Sequence, residues 1–290
     1  MAIHWRMQPL GPIYTLDLFP EMQSQLLHLL STLTPSEWAA PTACDGWSVK
    51  DIAAHMIADD LGVVSRGRDG HSGLDWFDAS SYGSLVASIN RQNDEWVRAM
   101  RRLSTELICE LLWMSGEQLF EYFCALDPHA IGGAVSWAGP DPAPVWLDIA
   151  REYTEGWAHQ QQIRDTVEGL RADGSAAGLR DRRFFAPVLD AYARALPHTF
   201  RDTNAPDGTH VRLVIDGDAG GSWSLVRGGG SWALWAGVEA APAASVTMDQ
   251  DVARRLFTKG MAPAAARERA SLAGDAALAA RVLETVAILG

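Results

Sequence analysis

Lysine is almost absent from this sequence, and positive charge is scarce. Lys50 and Lys259 are its two lysines, so the other 22 of the 24 basic residues are arginines, and 36 acidic residues give a formal charge of −12. An acidic chain without a basic run lacks the electrostatic surface that nucleic acids and anionic membranes attract. We therefore expect neither class of partner. Few lysines beside many arginines are typical of GC-rich genomes, including those of actinobacteria.

Cysteine pairs and long apolar runs are missing as well. The sequence has three cysteines, Cys44, Cys109 and Cys124, so at least one stays unpaired. No CxxC pair occurs, which argues against a disulfide framework and a thiolate zinc site. No stretch approaches 18 uninterrupted apolar residues, and residues 1–10 have no signal-peptide core. We therefore expect a soluble cytoplasmic protein with reduced thiols.

Several catalytic motifs are absent too. The sequence has no Walker loop, no GxSxG elbow, no GxGxxG turn and no HExxH helix. These absences remove the commonest sequence arguments for a nucleotide-binding protein, an α/β-hydrolase or a thermolysin-like protease. Any active site must be found from the spacing of individual residues.

The composition is that of a globular protein, with 48% hydrophobic and 21% charged residues over 290 positions. Apolar residues at helical spacing predict that residues 1–172 form an up-down four-helix bundle with irregular insertions. Ser48 is the expected N-cap of one helix, with Asp51 completing an acidic capping box. The predicted helical segments are 16–33, 48–64, 82–103, 105–125 and 145–169.

A breaker-rich stretch at 171–178 predicts a domain boundary, and residues 180–290 differ in pattern. Short β-type runs precede helical segments, which predicts an α+β domain with a small antiparallel sheet. A Gly-rich turn at 228–230 indicates a hairpin. The predicted strands are 211–215, 222–226, 231–235 and 244–248, and the helices that follow them are 249–258, 262–271 and 275–288.

Two helical segments carry residues that could bind a metal. Glu155 and His159 are four residues apart, so at about 100° per residue both emerge from one face of a helix. A histidine from a facing helix would complete a His₂Glu set, the ligand pattern of catalytic zinc with one open position. His55 lies in a helix among small and apolar neighbours and could supply it. On spacing alone, a solvated Glu155–His159 pair and a structural His55 are the simpler interpretations.

Two further residues have open roles. Asp59 follows His55 by one helical turn and could bind the metal, although an indirect or solvent-facing role is the simpler interpretation. Cys44 is a soft donor that precedes the same helix, but a small buried thiol explains it equally well.

The two segments resemble the signatures of a known family. The stretch from Trp38 through Cys44-Asp-Gly-Trp47 to His55, and the stretch 155–165, are similar to those of the mycothiol-dependent maleylpyruvate isomerase family of DinB-like bundles. The resemblance implies a divalent metal, usually zinc, bound by His55, Glu155 and His159. Gln162 stands where many relatives have an aspartate. Gln161 and Gln162 are candidates for hydrogen bonds that orient the ligands.

The C-terminal part, through 244–249, Gly260 and 273–275, resembles the sterol-carrier-type domain that is often fused to these bundles. The resemblance therefore implies an enzyme: a thiol S-transferase or isomerase that uses mycothiol as co-substrate against a small electrophile. A metal-dependent hydrolase using activated water, and a carrier protein without enzymatic activity, remain as alternatives.

Overall fold

The computed structural model describes residues 7–73, 78, 80–237 and 241–288, without the side chain of Tyr82. Its contacts divide the chain into two compact units. The helical unit comprises Thr15–Asp127 and Glu155–Leu179, and the sheet unit comprises Pro128–Thr154, Arg180–Ile288 and residues 7–14. Among the described residues, no helix is long and apolar enough to cross a membrane.

The helical unit follows the predicted helices closely. Ser48 caps its helix by accepting a hydrogen bond from the backbone N–H of Asp51, whose carboxylate accepts one from the Ser48 N–H in return. The expected capping box is therefore confirmed. After a 3₁₀ turn at Leu16–Leu18, the helices are α1 Phe19–Ser31, α2 Pro35–Trp38, α3 Val49–Gly67, α4 Tyr82–Met100, α5 Thr105–Cys124 and α6 Val145–Arg171. Of α6, residues 155–171 belong to the helical unit.

The middle helix of this unit is α3. It packs against α4 and α5, and α1 packs against α5. Leu30, Ile52, Ile57, Ile108 and Ile163 are almost completely buried in the shared core. The helical character of the N-terminal part is confirmed, and the exact four-helix bundle stays a prediction. Among the described residues, the long helices of this unit are α1, α3, α4, α5 and residues 155–171 of α6.

The sheet unit contains a six-stranded sheet in the order β1-β6-β5-β4-β7-β8. Adjacent strands are antiparallel except β4 and β7, which are parallel, with Leu213 opposite Val246. The expected antiparallel sheet is therefore wrong, and the sheet is mixed. Alternating apolar residues predict that a strand has one buried face, but they do not determine the direction of its neighbour. The strands are β1 Gln8–Pro9, β4 His210–Asp216, β5 Gly221–Gly228, β6 Ser231–Ala236, β7 Ala244–Asp249 and β8 Ser271–Gly274.

In the described part of the chain, five further helices accompany this sheet, and the last predicted helices are shorter than expected. Ser271–Gly274, expected to lie at the end of one helix and in the break before the next, forms the edge strand β8 beside β7. The helices are α7 Arg182–Ala193, α8 Leu196–Thr199, α9 Gln250–Phe257, α10 Pro263–Arg269 and α11 Ala276–Val282. The C-terminal sheet region is confirmed, and its likeness to a sterol-carrier domain stays a prediction.

The compact units differ from the predicted division at 1–172 and 180–290 in two segments. Residues 7–14 and Pro128–Thr154 group with the sheet unit. The second segment was expected to be a loop followed by a helix start, and it contains a short hairpin of β2 Ile131–Ala134 and β3 Pro142–Pro144. The unit boundary between Leu179 and Arg180 lies beside the breaker-rich stretch that the sequence singled out.

Candidate metal centre

Helix α3 carries His55 and is anchored at its N-terminus. Arg101 donates hydrogen bonds to both carboxylate oxygens of Asp51, at 2.9 and 3.1 Å, so the capping residue is itself held in place. One turn further on, the His55 side chain is almost completely buried. The Trp47 indole lies against its ring, with centroids 5.0 Å apart. The start of the helix therefore positions the backbone that carries His55 and the indole on one side of its ring.

Helix α6 carries Glu155 and His159 and is anchored along its length. The buried Arg164 guanidinium donates two hydrogen bonds to Gln160 and one each to the carbonyl oxygens of Ala176 and Gln25. A Cβ at Gly178 would come within 2.8 Å of this guanidinium, so a larger residue there would have to displace it. These contacts fix the rotation of α6 about its axis, and with it the direction of His159.

The two histidines face each other although 104 residues separate them. His55 Nε2 lies 3.1 Å from His159 Nε2 and 3.0 Å from Asp59 Oδ2. One donor atom from each of these three residues lies within 4.8 Å of the others. Glu155 Oε2 lies 3.9 Å from His159 Nε2. Two imidazoles and the Asp59 carboxylate therefore converge on one small volume, whereas Glu155, the third ligand expected from the sequence, approaches His159 but is not a member of this close group.

The protonation states favour metal binding by His159. Burial and the neighbouring His55 lower the pKa of His159 to about 4, so its imidazole is neutral at pH 7. Burial alone would lower the pKa of His55 as well, but the charge and hydrogen bond of Asp59 raise it above its ordinary value. The carboxylate therefore compensates for a positive charge at His55, whether that charge is a proton or a metal ion.

The outer nitrogens of the two rings have different surroundings. Gln162 Oε1 accepts a hydrogen bond from His159 Nδ1 at 2.9 Å, which leaves the lone pair of Nε2 directed at the centre. His55 Nδ1 is buried and has no hydrogen-bond partner among the described residues. Gln161 points elsewhere and donates to the carbonyl oxygen of Gly178. Of the two glutamines singled out in the sequence, Gln162 therefore contacts a histidine of the cluster.

The donor set fits a divalent metal. Two donors that each lie about 2.0–2.1 Å from an ion are about 2.9–3.4 Å apart at octahedral or tetrahedral angles. The separations of 3.0 and 3.1 Å around His55 Nε2 match this range, and the 3.9 Å from Glu155 to His159 exceeds it by half an ångström. Neutral imidazole and carboxylate are ordinary ligands of zinc and similar ions.

Asp59 lies closer to the candidate centre than the indirect or solvent-facing role expected from the sequence. The structure brings it beside His55, whereas Cys44 packs against the hydrophobic core, where burial raises the pKa of its thiol. A carboxylate four residues after a histidine lies on the same helix face, so the spacing pointed to this contact. It could not show which ring nitrogen the carboxylate meets.

The geometry defines a helical protein with a candidate metal site, and comparison with known proteins gives its family. The family model for the mycothiol maleylpyruvate isomerase N-terminal domain matches residues 19–164, just over half of the chain. The chain belongs to this family, which confirms the resemblance seen in the sequence and the assignment to a family of enzymes. No curated protein matches the sequence.

Two solved structures have a similar fold. They are the crystal structure of the mycothiol-dependent maleylpyruvate isomerase, with a TM-score of 0.53, and that of a mutant with one histidine changed to alanine, with a TM-score of 0.52. Each is 12% identical in sequence, and the match covers 89% of this chain and 91% of the other. At this identity the likeness concerns the fold, a helical N-terminal part followed by a C-terminal sheet region.

Proposed function

We propose that this protein is a metal-dependent enzyme that uses mycothiol as a thiol co-substrate to isomerise a small electrophile or to transfer the thiol to it. The observation that carries the proposal is the pair of imidazole Nε2 atoms 3.1 Å apart, on α3 and α6 of a chain that belongs to the mycothiol maleylpyruvate isomerase family. The enzyme works in the cytoplasm, where its three free cysteines stay reduced.

The metal is a divalent ion of zinc type, held by His55, Glu155 and His159. These residues supply two neutral donors and one negative donor, which leaves a charge of about +1 and favours an anionic further ligand. When bound, such an ion holds a coordinated thiol as the thiolate at neutral pH, where a free thiol is mostly protonated.

The side chains of the helical unit prepare this site before any ligand arrives. Burial keeps the His159 imidazole neutral, and Gln162 holds its proton on Nδ1. The Nε2 atom can therefore bind a metal without first losing a proton. The Trp47 indole lies against one side of the buried His55 ring and helps to hold it in place.

The sheet unit, with helices beside a mixed sheet, supports a sterol-carrier-like domain. It contains an open cleft of about 590 Å³, lined by charged and polar residues such as Asp202, Asp275 and Arg281 as well as by apolar ones such as Leu278. This volume lies within the range of small-molecule sites. The cleft favours a carrier protein as the second candidate function, in which this unit would hold the ligand and the helical unit would be structural.

The test is thiol-dependent turnover by the zinc-loaded full-length protein. Maleylpyruvate and a panel of small electrophiles would be offered with mycothiol, with glutathione and without thiol, and consumption followed by mass spectrometry. We expect turnover with mycothiol that is lost in His55→Ala. Turnover without any thiol would favour the hydrolase. No turnover at all, with apolar ligands bound equally by wild type and His55→Ala, would favour the carrier.

A further inference from the structure

We propose that Asp59 is a further protein ligand of the metal, so that this centre has two carboxylates instead of one. The inference rests on the proposed function, because it assumes that His55 and His159 hold a metal. It concerns a residue that stands one helical turn after His55, with its Oδ2 atom 3.0 Å from His55 Nε2.

The decisive observation is which nitrogen Asp59 meets. A carboxylate that only orients a metal-bound histidine accepts a hydrogen bond from the ring nitrogen that faces away from the metal. Gln162 has this position at His159, since it contacts Nδ1 while Nε2 faces the centre. Asp59 contacts His55 at Nε2, the nitrogen that faces His159, and the outer Nδ1 has no partner among the described residues. Asp59 therefore lies on the ligand side of the ring.

The four side chains differ in exposure. The exposed fractions are 6% for His55, 9% for His159, 17% for Glu155 and 36% for Asp59. The two histidines are therefore the most enclosed members of this set, and Asp59 is the one that solvent reaches most.

A second carboxylate changes the charge of the centre. A divalent ion with two neutral imidazoles, Glu155 and Asp59 carries a net charge of about zero instead of about +1. This neutral centre attracts an entering thiolate less strongly than the three-ligand centre does. The added negative ligand also makes the protein bind the metal ion more tightly. We therefore expect Asp59 to contribute more to metal affinity than to thiol affinity.

The experiment is a crystal structure of the zinc-loaded full-length protein together with zinc affinities from chelator competition. We expect a zinc–Oδ distance of about 2.0–2.2 Å for Asp59. Asp59→Asn should weaken zinc binding more than ~100-fold, beyond the ~10–100-fold typical of groups that only orient a ligand. Asp60→Asn is the matched control, because Asp60 is the next carboxylate on α3 and accepts a hydrogen bond from Ser115, which asparagine can still accept. Its affinity should stay within a few fold of wild type.

Two results separate this inference from the proposed function. A zinc–Oδ distance beyond about 2.5 Å, or an Asp59→Asn affinity within ~100-fold of wild type, overturns the role of Asp59 while leaving the histidine site intact. If the wild-type protein binds no zinc, the proposed function fails and the inference fails with it. A circular-dichroism melting curve for each variant ensures that a lost metal does not reflect a lost fold.

Discussion

Helices α3 and α6 bring one histidine each to the candidate centre, but they orient it differently. His159 on α6 is fixed at its outer nitrogen by Gln162, and the helix below it is held by the buried Arg164 network. His55 on α3 has a buried outer nitrogen without a partner among the described residues, and its inner nitrogen meets Asp59. His159 is therefore oriented through the nitrogen that faces away from the centre, and His55 through the nitrogen that faces it.

This difference predicts two kinds of sensitivity. The α6 half should keep its geometry in the metal-free protein, because none of its supporting contacts involves the centre. The orientation of His55 depends on groups inside the centre, so it should respond to metal loading and to changes at Asp59.

Removing either histidine should have the largest effect. His159→Ala and His55→Ala each delete a neutral donor that no neighbouring side chain replaces, so zinc content should fall from about one ion per chain to nearly none. Elemental analysis of the purified proteins measures this. His28→Ala, an exposed histidine on α1, is the control and should keep its metal. Equal metal in wild type and His159→Ala would refute the site.

Breaking the anchor of α6 should cost stability. Arg164→Met leaves the carbonyl oxygens of Ala176 and Gln25 and the side chain of Gln160 without this donor in a buried region. The expected loss is about 2–4 kcal/mol in the free energy of unfolding. Urea unfolding measures it, with the exposed Arg98→Met on α4 as a control that should change stability by about 0.5 kcal/mol or less. Similar values for the two variants would show that the network does not anchor α6.

Replacing Gln162, which accepts a hydrogen bond from the outer nitrogen of His159, should weaken metal binding without abolishing it. Gln162→Leu deletes the acceptor for Nδ1–H, so zinc affinity should drop about 10–100-fold. Gln162→Glu supplies a stronger acceptor and should bind zinc at least as tightly as wild type. Gln161→Leu is the matched control, because Gln161 bonds to Gly178 and should affect stability more than affinity. Unchanged affinity in Gln162→Leu would mean that α6 does not orient its histidine in this way.

The smallest effect concerns the ion pair between Glu37 on α2 and Arg171 at the end of α6, which should weaken in acid. Hydrogen bonds from Arg171 and from the Thr34 backbone lower the pKa of Glu37 to about 2, from an ordinary value of 4.5. A folded-state pKa below the unfolded one means that the stabilisation is complete above about pH 4.5 and disappears as the pH falls towards 2. Glu37→Gln should therefore lose about 1 kcal/mol at pH 7 and show a flatter acid limb. A wild-type-like dependence of urea unfolding on pH would contradict this.

Much of the helical unit could be predicted from the sequence, because its signals are local. Ser48 and Asp51 mark a helix start within four residues, and Glu155 and His159 share a face through their spacing alone. The meeting of His55 and His159 depends on tertiary packing across 104 residues, so only the family resemblance pointed to it. The parallel pairing of β4 with β7 is equally non-local.

Two parts of the site were out of reach of sequence reasoning. Arg164 looks like any helical arginine until its burial and its carbonyl partners are known. Asp59 was open between a direct and an indirect role, because helical spacing brings a carboxylate near an imidazole without determining which nitrogen it contacts. That choice depends on the rotamers of both side chains.

Zinc-edge X-ray absorption on the metal-loaded protein, with and without mycothiol, tests directly whether the metal between α3 and α6 takes the thiol as a ligand. We expect a nitrogen and oxygen shell at about 2.0–2.2 Å that gains a sulfur scatterer at about 2.3 Å only when mycothiol is added. A shell that stays nitrogen and oxygen at saturating thiol would contradict this expectation and favour activated water.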